Sequence, residues 1–207
     1  MKVVLRIVQD AIKDAWDDLW TALVCNLFWS LSNVLILPGP PATLALVYYA
    51  NRLAHGEVAD LADFWKAFRR YWALAWRWGA VNLAMIAFLL GDVVLTNLSS
   101  QGLWSHYLQG LYLALLAGWL VLQFFALPFL FEQESMSVRQ ALRNGAALIG
   151  NNPGFTIALI GLLLLILIAG TVAFMLSFAF GAVIITCASN RAVLTRLEIQ
   201  KQSRESI

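Results

Sequence analysis

Long stretches without charge alternate along this chain with shorter stretches in which charged and apolar residues recur at helical spacing. The uncharged stretches are Leu19–Asn51, Val93–Phe131 and Asn144–Asn190. A helix needs about 20 apolar residues to cross the hydrocarbon core of a bilayer. The pattern therefore predicts an all-α protein, a polytopic transmembrane helix bundle that forms a single membrane domain over residues 1–207.

The uncharged stretches predict five to six membrane segments. A helical hairpin over residues 19–53 turns around Pro38–Pro41, because prolines interrupt a helix and Gly39 permits a sharp turn. Its second arm, Ala42–Leu53, reaches only about 18 Å, so it either crosses obliquely or re-enters. The other predicted segments are Leu19–Leu37, Trp72–Leu95, His106–Phe131, Phe155–Ala169 and Val172–Ala188.

Three amphipathic helices separate or precede these segments. Residues 1–18 form an interfacial helix that either lies in the membrane plane or packs on neighbouring helices. Residues 57–71 and 136–150 form the other two. In the last of them Ser137 and Gln140 have the spacing of a capping box, in which each side chain accepts a hydrogen bond from the other's backbone amide.

Lysines and arginines predict the orientation, because short positively charged loops stay in the cytoplasm. They concentrate around the two later amphipathic helices and in a basic tail over residues 191–207, whereas the loops near Ser100 and Gly170 have none. Both helices and the C-terminus are therefore expected on the cytoplasmic side of a bacterial cytoplasmic membrane. The N-terminus joins them if residues 42–53 return across the bilayer, which favours six segments.

Composition supports a membrane protein and excludes several functions. Hydrophobic residues make up 61% of the chain and charged residues 13%, against roughly 45–50% and about 25% in soluble domains. The net charge is +2 and the basic residues lie among aliphatic segments, so no nucleic-acid partner is expected. Cys25 and Cys187 lie within apolar segments and are interpreted as packing residues.

No catalytic or metal-binding motif is present, so the sequence predicts a non-enzymatic protein with no cofactor and no metal. His55 and His106 are predicted at opposite membrane faces and are interpreted as interface residues. Of the acidic group Asp10, Asp14, Asp17 and Asp18, the spacing places the first three on the polar face of the first amphipathic helix, so the group is interpreted as a solvated face.

Polar residues within the apolar segments form a candidate intramembrane polar site, because burying such groups in hydrocarbon is costly. One interpretation is hydrogen bonding between helices; the other is a polar cavity for a small solute. The tryptophans near the segment ends are explained by an interfacial aromatic belt. The candidate residues are Asn26, Asn33, Asn82, Asp92 and Gln123.

Several short motifs resemble the YesL-type family of bacterial integral membrane proteins. They are the sequence from Asn26 to Trp29, the turn from Pro40 to Leu46, the pair Gly56-Glu57 and the helix from Asp63 to Arg69. The resemblance covers most of the chain and is strongest over residues 20–75. One departure is the Pro40-Pro41 pair, where the family has a single proline before the alanine.

The resemblance implies a fold and a context, but no catalytic residues, since the family's biochemical role is not established. Members often occur beside carbohydrate uptake systems, which implies an accessory or scaffold protein that contacts the lipid bilayer and an ABC-type sugar permease. The expected docking surface for that partner is Asp63, Trp65, Lys66, Arg69 and Arg70.

Overall fold

The computed structural model describes residues 2–99, 102–172 and 174–205, without the side chains at 99, 171–180 and 203–205. Within these ranges it contains nine helices and no strand, which confirms the all-α prediction. The helices are α1 (Lys2–Asp17), α2 (Leu19–Val34), α3 (Gly39–Ala54), α4 (Leu61–Arg70), α5 (Trp72–Ser99), α6 (Leu103–Phe129), α7 (Val138–Asn151), α8 (Pro153–Val172) and α9 (Phe174–Glu205).

Three of the described helical segments are long and apolar enough to cross a membrane. They are Trp72–Leu98, Leu103–Phe129 and Pro153–Gly170. The apolar helix α2 has 16 residues and is shorter than these. The structure therefore supports a membrane protein with three candidate crossings among the described residues, a smaller number than the five to six segments predicted.

Helix α3 begins earlier than predicted and lies at the centre of the bundle. It starts at Gly39 because Pro40 and Pro41 occupy its first turn, where backbone amides have no intrahelical acceptor and proline is well tolerated. Helix α2 ends at Val34, before the prolines, and Ile36 turns the chain with φ of 63°. Leu44, Leu46 and Tyr49 of α3 are among the most deeply buried side chains described.

Helix α1 packs against α9, where Arg191 forms an ion pair with Asp14. Val4, Ile7, Val8, Ala11 and Ala15 of α1 are buried, so its apolar stripe is covered by protein. On its polar face Lys2, Arg6, Lys13 and Asp17 are exposed, whereas Asp10 and Asp14, which were expected to be solvated, are half-buried. Helix α9 continues to Glu205, through the region that the sequence analysis assigned to a tail. Within that region Ala192 and Val193 are fully buried, because their small side chains fit against neighbouring helices.

Helices α5 and α6 form an antiparallel hairpin whose outer part contacts few other residues. Of the residues in the most apolar part of each helix, only 11% are buried in α5 and 17% in α6. Phe88, Leu95 and Leu111 are among the exposed side chains. An aliphatic surface of this length is stable in hydrocarbon and unfavourable in water. Helix α7 then packs back against the end of α6, where Gly145 lies close to Ala126.

Candidate functional site

Two tryptophan–amide hydrogen bonds join α5 to α6. The indole Nε1 of Trp78 on α5 donates to Oε1 of Gln123 on α6 at 2.8 Å, and Nε1 of Trp119 on α6 donates to Oδ1 of Asn82 on α5 at 2.7 Å. Each helix supplies one donor and one acceptor, four residues apart. Asn82 and Gln123, two of the predicted polar residues, thus join α5 to α6 at levels one helical turn apart along the hairpin.

The Gln123 side chain has a second polar atom that this arrangement does not use. Its Nε2 is buried, and no hydrogen-bond partner for it is found among the described residues. A buried amide donor without an acceptor costs about 1–3 kcal/mol. Gln123 is therefore a buried member of the predicted polar site whose capacity for polar contacts is not filled by the described residues.

The other three predicted polar residues lie elsewhere. Asn26 is fully buried between α2 and α9, where its Oδ1 accepts from the backbone N–H of Ala182 at 3.0 Å. Asn33 is exposed near the end of α2, and its Nδ2 donates to the carbonyl of Trp29 in the same helix. Asp92 is half-buried in the outer part of α5. The structure brings together only Asn82 and Gln123 of the five.

Two clefts found among the described residues are formed by other side chains. One of about 690 Å³ lies between α1 and α9 and contains Lys2, Arg6 and Glu198. Another of about 750 Å³ lies between α7 and α9 and contains Asn144, Asn151 and Arg196. Neither includes any of the five predicted polar residues.

The predicted docking surface lies on α4, a helix fixed firmly at its start. The Asp60 carboxylate accepts from the backbone amide of Asp63 at 2.8 Å, and the Asp63 carboxylate accepts from the amide of Asp60, which completes a capping box. This is why the helix begins at Leu61, four residues later than the periodicity predicted. Arg52 of α3 forms ion pairs with both Asp63 and Glu57.

Asp63 is thus part of the structure that supports the surface. Partial burial of its carboxyl favours the protonated form, but the hydrogen bond from the Asp60 amide and the charges of Arg52 and Lys66 outweigh that effect. The pKa of Asp63 is lowered as a result. The carboxylate keeps its charge and its bonds at neutral pH.

The apolar face of α4 packs against α2 through a cluster of aromatic rings. Phe64 is fully buried, and Phe28 of α2 contacts Phe64, Trp65 and Phe68 edge-to-face with centroids 4.6–5.6 Å apart. Such edge-to-face pairs contribute about 0.5–1.5 kcal/mol each beyond their buried area. The cluster holds α4 in one orientation.

The opposite face of α4 is exposed and basic. Lys66, Arg69 and Arg70 are exposed, and Trp65, at the edge of the aromatic cluster, is 38% exposed beside them. Four of the five predicted docking residues therefore form one accessible surface, which we call the α4 basic surface: Trp65, Lys66, Arg69 and Arg70.

A polar cluster that was not predicted from the sequence joins α3, the end of α6 and α9. Nδ2 of Asn51 donates to Oε1 of Glu132 at 2.6 Å and to Oδ1 of Asn190 at 3.1 Å, and Nε2 of His55 lies 3.7 Å from Oε1 of Glu132. Asn190 is fully buried and donates to the carbonyl of Thr186. The cluster satisfies its buried amides internally, as a structural network must.

The sequence contained a signal for this cluster. Asn51 and Asn190 are the last residues of two uncharged stretches, and Glu132 follows the end of the third. Nearby, Arg191 forms a bidentate ion pair with Asp14 at 2.5 and 2.6 Å. The residues that terminate the apolar stretches therefore meet at one end of the bundle.

The described residues contain no group of three or more His, Cys, Asp or Glu side chains that could hold a metal ion. None of the protein-family models, curated proteins or solved structures compared with the chain matches it. Membership of the YesL-type family accordingly stays a prediction from the motifs.

Proposed function

We propose that this chain is a multi-pass protein of the bacterial cytoplasmic membrane that acts as a non-enzymatic accessory or scaffold. Its membrane-embedded segments would be α2, α3, α5, α6, α8 and α9. The observation that carries the proposal is the α4 basic surface, which is exposed although the rest of α4 is fixed by its cap and its aromatic cluster. A surface held rigid before binding loses less entropy when a partner docks.

The charge of the surface indicates the chemistry of its partner. Lys66, Arg69 and Arg70 present three cationic groups beside one aromatic ring, and Arg and Trp are enriched among residues that dominate binding energy. We expect an acidic cytoplasmic surface on another membrane protein. The family resemblance suggests an ABC-type sugar permease, and with it a role near carbohydrate uptake.

The orientation in this proposal follows from positive charge. The α4 basic surface, Arg139 and Arg143 of α7 and the basic C-terminal part of α9 would face the cytoplasm, and so would the N-terminus. Because α5 and α6 form one hairpin, α4 and α7 lie on the same side of the membrane in this arrangement.

The test is co-purification of tagged full-length protein with the permease from native membranes in mild detergent. Arg69→Glu should reduce permease recovery strongly, because it reverses a charge at the centre of the surface. Arg139→Glu on α7 is the matched control, since it makes the same change at another exposed arginine and should leave recovery unchanged. Equal recovery with both variants would remove the basis for docking through α4.

A small-solute transporter is the second candidate, and the observation that favours it is the buried Nε2 of Gln123, for which the described residues provide no hydrogen-bond partner. It is the weaker candidate because Asn26, Asn33 and Asp92 lie apart from Gln123. Uptake by proteoliposomes that contain the protein alone, reduced by Gln123→Leu or Asp92→Asn, would support transport and argue against a purely accessory role.

A further inference from the structure

The turn between α2 and α3 exposes four consecutive aliphatic side chains. Val34, Leu35, Ile36 and Leu37 are 77%, 62%, 66% and 63% exposed, and we call them the hairpin tip. A run of exposed aliphatic residues of this length is unfavourable in water. The surrounding stretch, Leu19–Asn51, contains no charged residue that would keep the tip in an aqueous phase.

The backbone of this turn has no free amide donor. The N–H groups of Leu35, Ile36, Leu37, Gly39 and Ala42 all donate to carbonyls within the hairpin. The intervening residues at positions 38, 40 and 41 are prolines, which have no N–H. A helix normally leaves its first amides unpaired, and hydrocarbon offers them no acceptor. The start of α3 therefore meets the requirement for a chain reversal inside a membrane.

Contacts with α5 show how far the tip reaches along that helix. The ring of Tyr48 lies 5.8 Å from that of Tyr71, just before α5 begins. Pro40, nearer the tip, lies against Gly79, where an added Cβ would be 2.8 Å from the proline Cγ. Eight residues separate the contacts on each helix, so α3 runs antiparallel to the first two turns of α5.

The tip therefore reaches only part of the way along α5. Gly79 is seven residues past Trp72, or about 10 Å, whereas α5 continues beyond Gly79 for another 20 residues, about 30 Å. A hydrocarbon core is about 30 Å thick. At the other end of α3, Arg52 forms ion pairs with Glu57 and Asp63, next to the α4 basic surface. The start of α2 lies at the same level, because Tyr49 of α3 donates to the carboxylate of Asp18, just before α2, at 3.5 Å. Both ends of the hairpin therefore lie on the side of α4.

We infer that α2 and α3 form a re-entrant hairpin, whose tip is embedded in the lipid hydrocarbon and does not reach the opposite membrane face. The inference rests on the membrane topology proposed above. It leaves the N-terminus on the cytoplasmic side, because α2 and α3 enter and leave through the same membrane face. Of the six membrane-embedded helices proposed above, only α5, α6, α8 and α9 would then cross fully.

The test uses full-length protein in sealed membrane vesicles, with the two native cysteines replaced by alanine. Single cysteines are introduced as Leu37→Cys in the tip, Leu98→Cys at the far end of α5 and Arg69→Cys on α4, all at exposed positions. A membrane-impermeant maleimide is added to either side. Leu98→Cys should react only from the outer side, Arg69→Cys only from the cytoplasmic side, and Leu37→Cys from neither.

A nitroxide attached at Leu37→Cys provides a positive readout. In hydrocarbon it should collide more often with oxygen than with a water-soluble nickel complex, with the reverse order at Arg69→Cys. Labelling of Leu37→Cys from the outer side would show a hairpin that crosses, and labelling from the cytoplasmic side would show a tip in water; either result overturns the inference. Reaction of Leu98→Cys and Arg69→Cys from the same side would instead overturn the proposed topology.

Discussion

Gly145 allows α7 to pack directly on the backbone of α6, which makes it a sensitive test of the packing. A Cβ added at Gly145 would lie 3.1 Å from the backbone N of Ala126, 3.2 Å from its Cα and 3.3 Å from its Cβ. The optimal separation of non-bonded carbons is about 3.5–4.0 Å. Two of the three atoms belong to the backbone, so no side-chain rotation relieves the contact and the helices must move apart.

The change Gly145→Ala should destabilise the protein relative to Gly150→Ala, a matched change in the same helix. Overpacking costs about 1–3 kcal/mol, whereas replacing glycine by alanine within a helix gains up to about 1 kcal/mol. A Cβ at Gly150 would meet no described atom within 4 Å, so that variant has only the gain. The two variants should therefore differ by about 1–3 kcal/mol, with Gly145→Ala the less stable.

Thermal unfolding of the two purified variants in the same detergent, followed by tryptophan fluorescence, measures this difference. For a domain of this size about 1 kcal/mol corresponds to roughly 2–4 °C in Tm. Hydrogen exchange of α7 amides should localise the loss to the contact with α6. If Gly145→Ala raises Tm as much as Gly150→Ala does, the close approach of the two helices is refuted.

Three further predictions concern single polar contacts. Trp119→Phe removes the hydrogen-bond donor to Asn82 on α5 and should lower the stability of the α5–α6 hairpin by about 0.6–2 kcal/mol in detergent unfolding. The control Trp104→Phe, at a residue that is 81% exposed, should change that stability little. Asp14→Asn weakens the bidentate contact with Arg191 and should reduce the stability of α1 packing by about 1–3 kcal/mol, which is measurable as faster hydrogen exchange of α1 amides. Unchanged exchange would contradict a role of this contact in docking α1. Because the pKa of Asp63 is lowered in the fold, its contribution to the stability of α4 is present above the unfolded value near 3.8 and lost as pH falls through the lower folded value. The protection of α4 amides against exchange, relative to the intrinsic rate at each pH, should fall in that range, and Asp63→Asn should abolish that pH dependence.

The hydrophobic pattern by itself determined that the protein is all-α and that it contains helices able to cross a membrane. Uncharged length is a local property, and α5, α6 and α8 satisfy it without help from other segments. The amphipathic pattern likewise identified α4 and the four residues that form its exposed surface. Periodicity assigns faces within one helix, so it could separate Phe64 from Arg69 before any neighbour was known.

Only the tertiary structure decided which polar residues meet. Asn26 and Asn33 lie seven residues apart in α2, so helical periodicity places them on the same stripe, but packing buries one against α9 and leaves the other exposed near the hairpin tip. The pairing of Asn82 with Trp119 and of Gln123 with Trp78 depends on the register of two antiparallel helices, which one helix's sequence does not contain.

The same reason explains α3. Its short apolar sequence predicted a marginal membrane segment, and the structure makes it the buried centre of the bundle. Burial depends on how many neighbours surround a helix, and hydropathy does not specify that number. Asn51, Glu132 and Asn190 were each visible as the limits of uncharged stretches, yet their meeting required three helices to end at the same level. The sequence thus determined the elements and their faces, whereas the depth and partners of each element came from packing between segments distant in the chain.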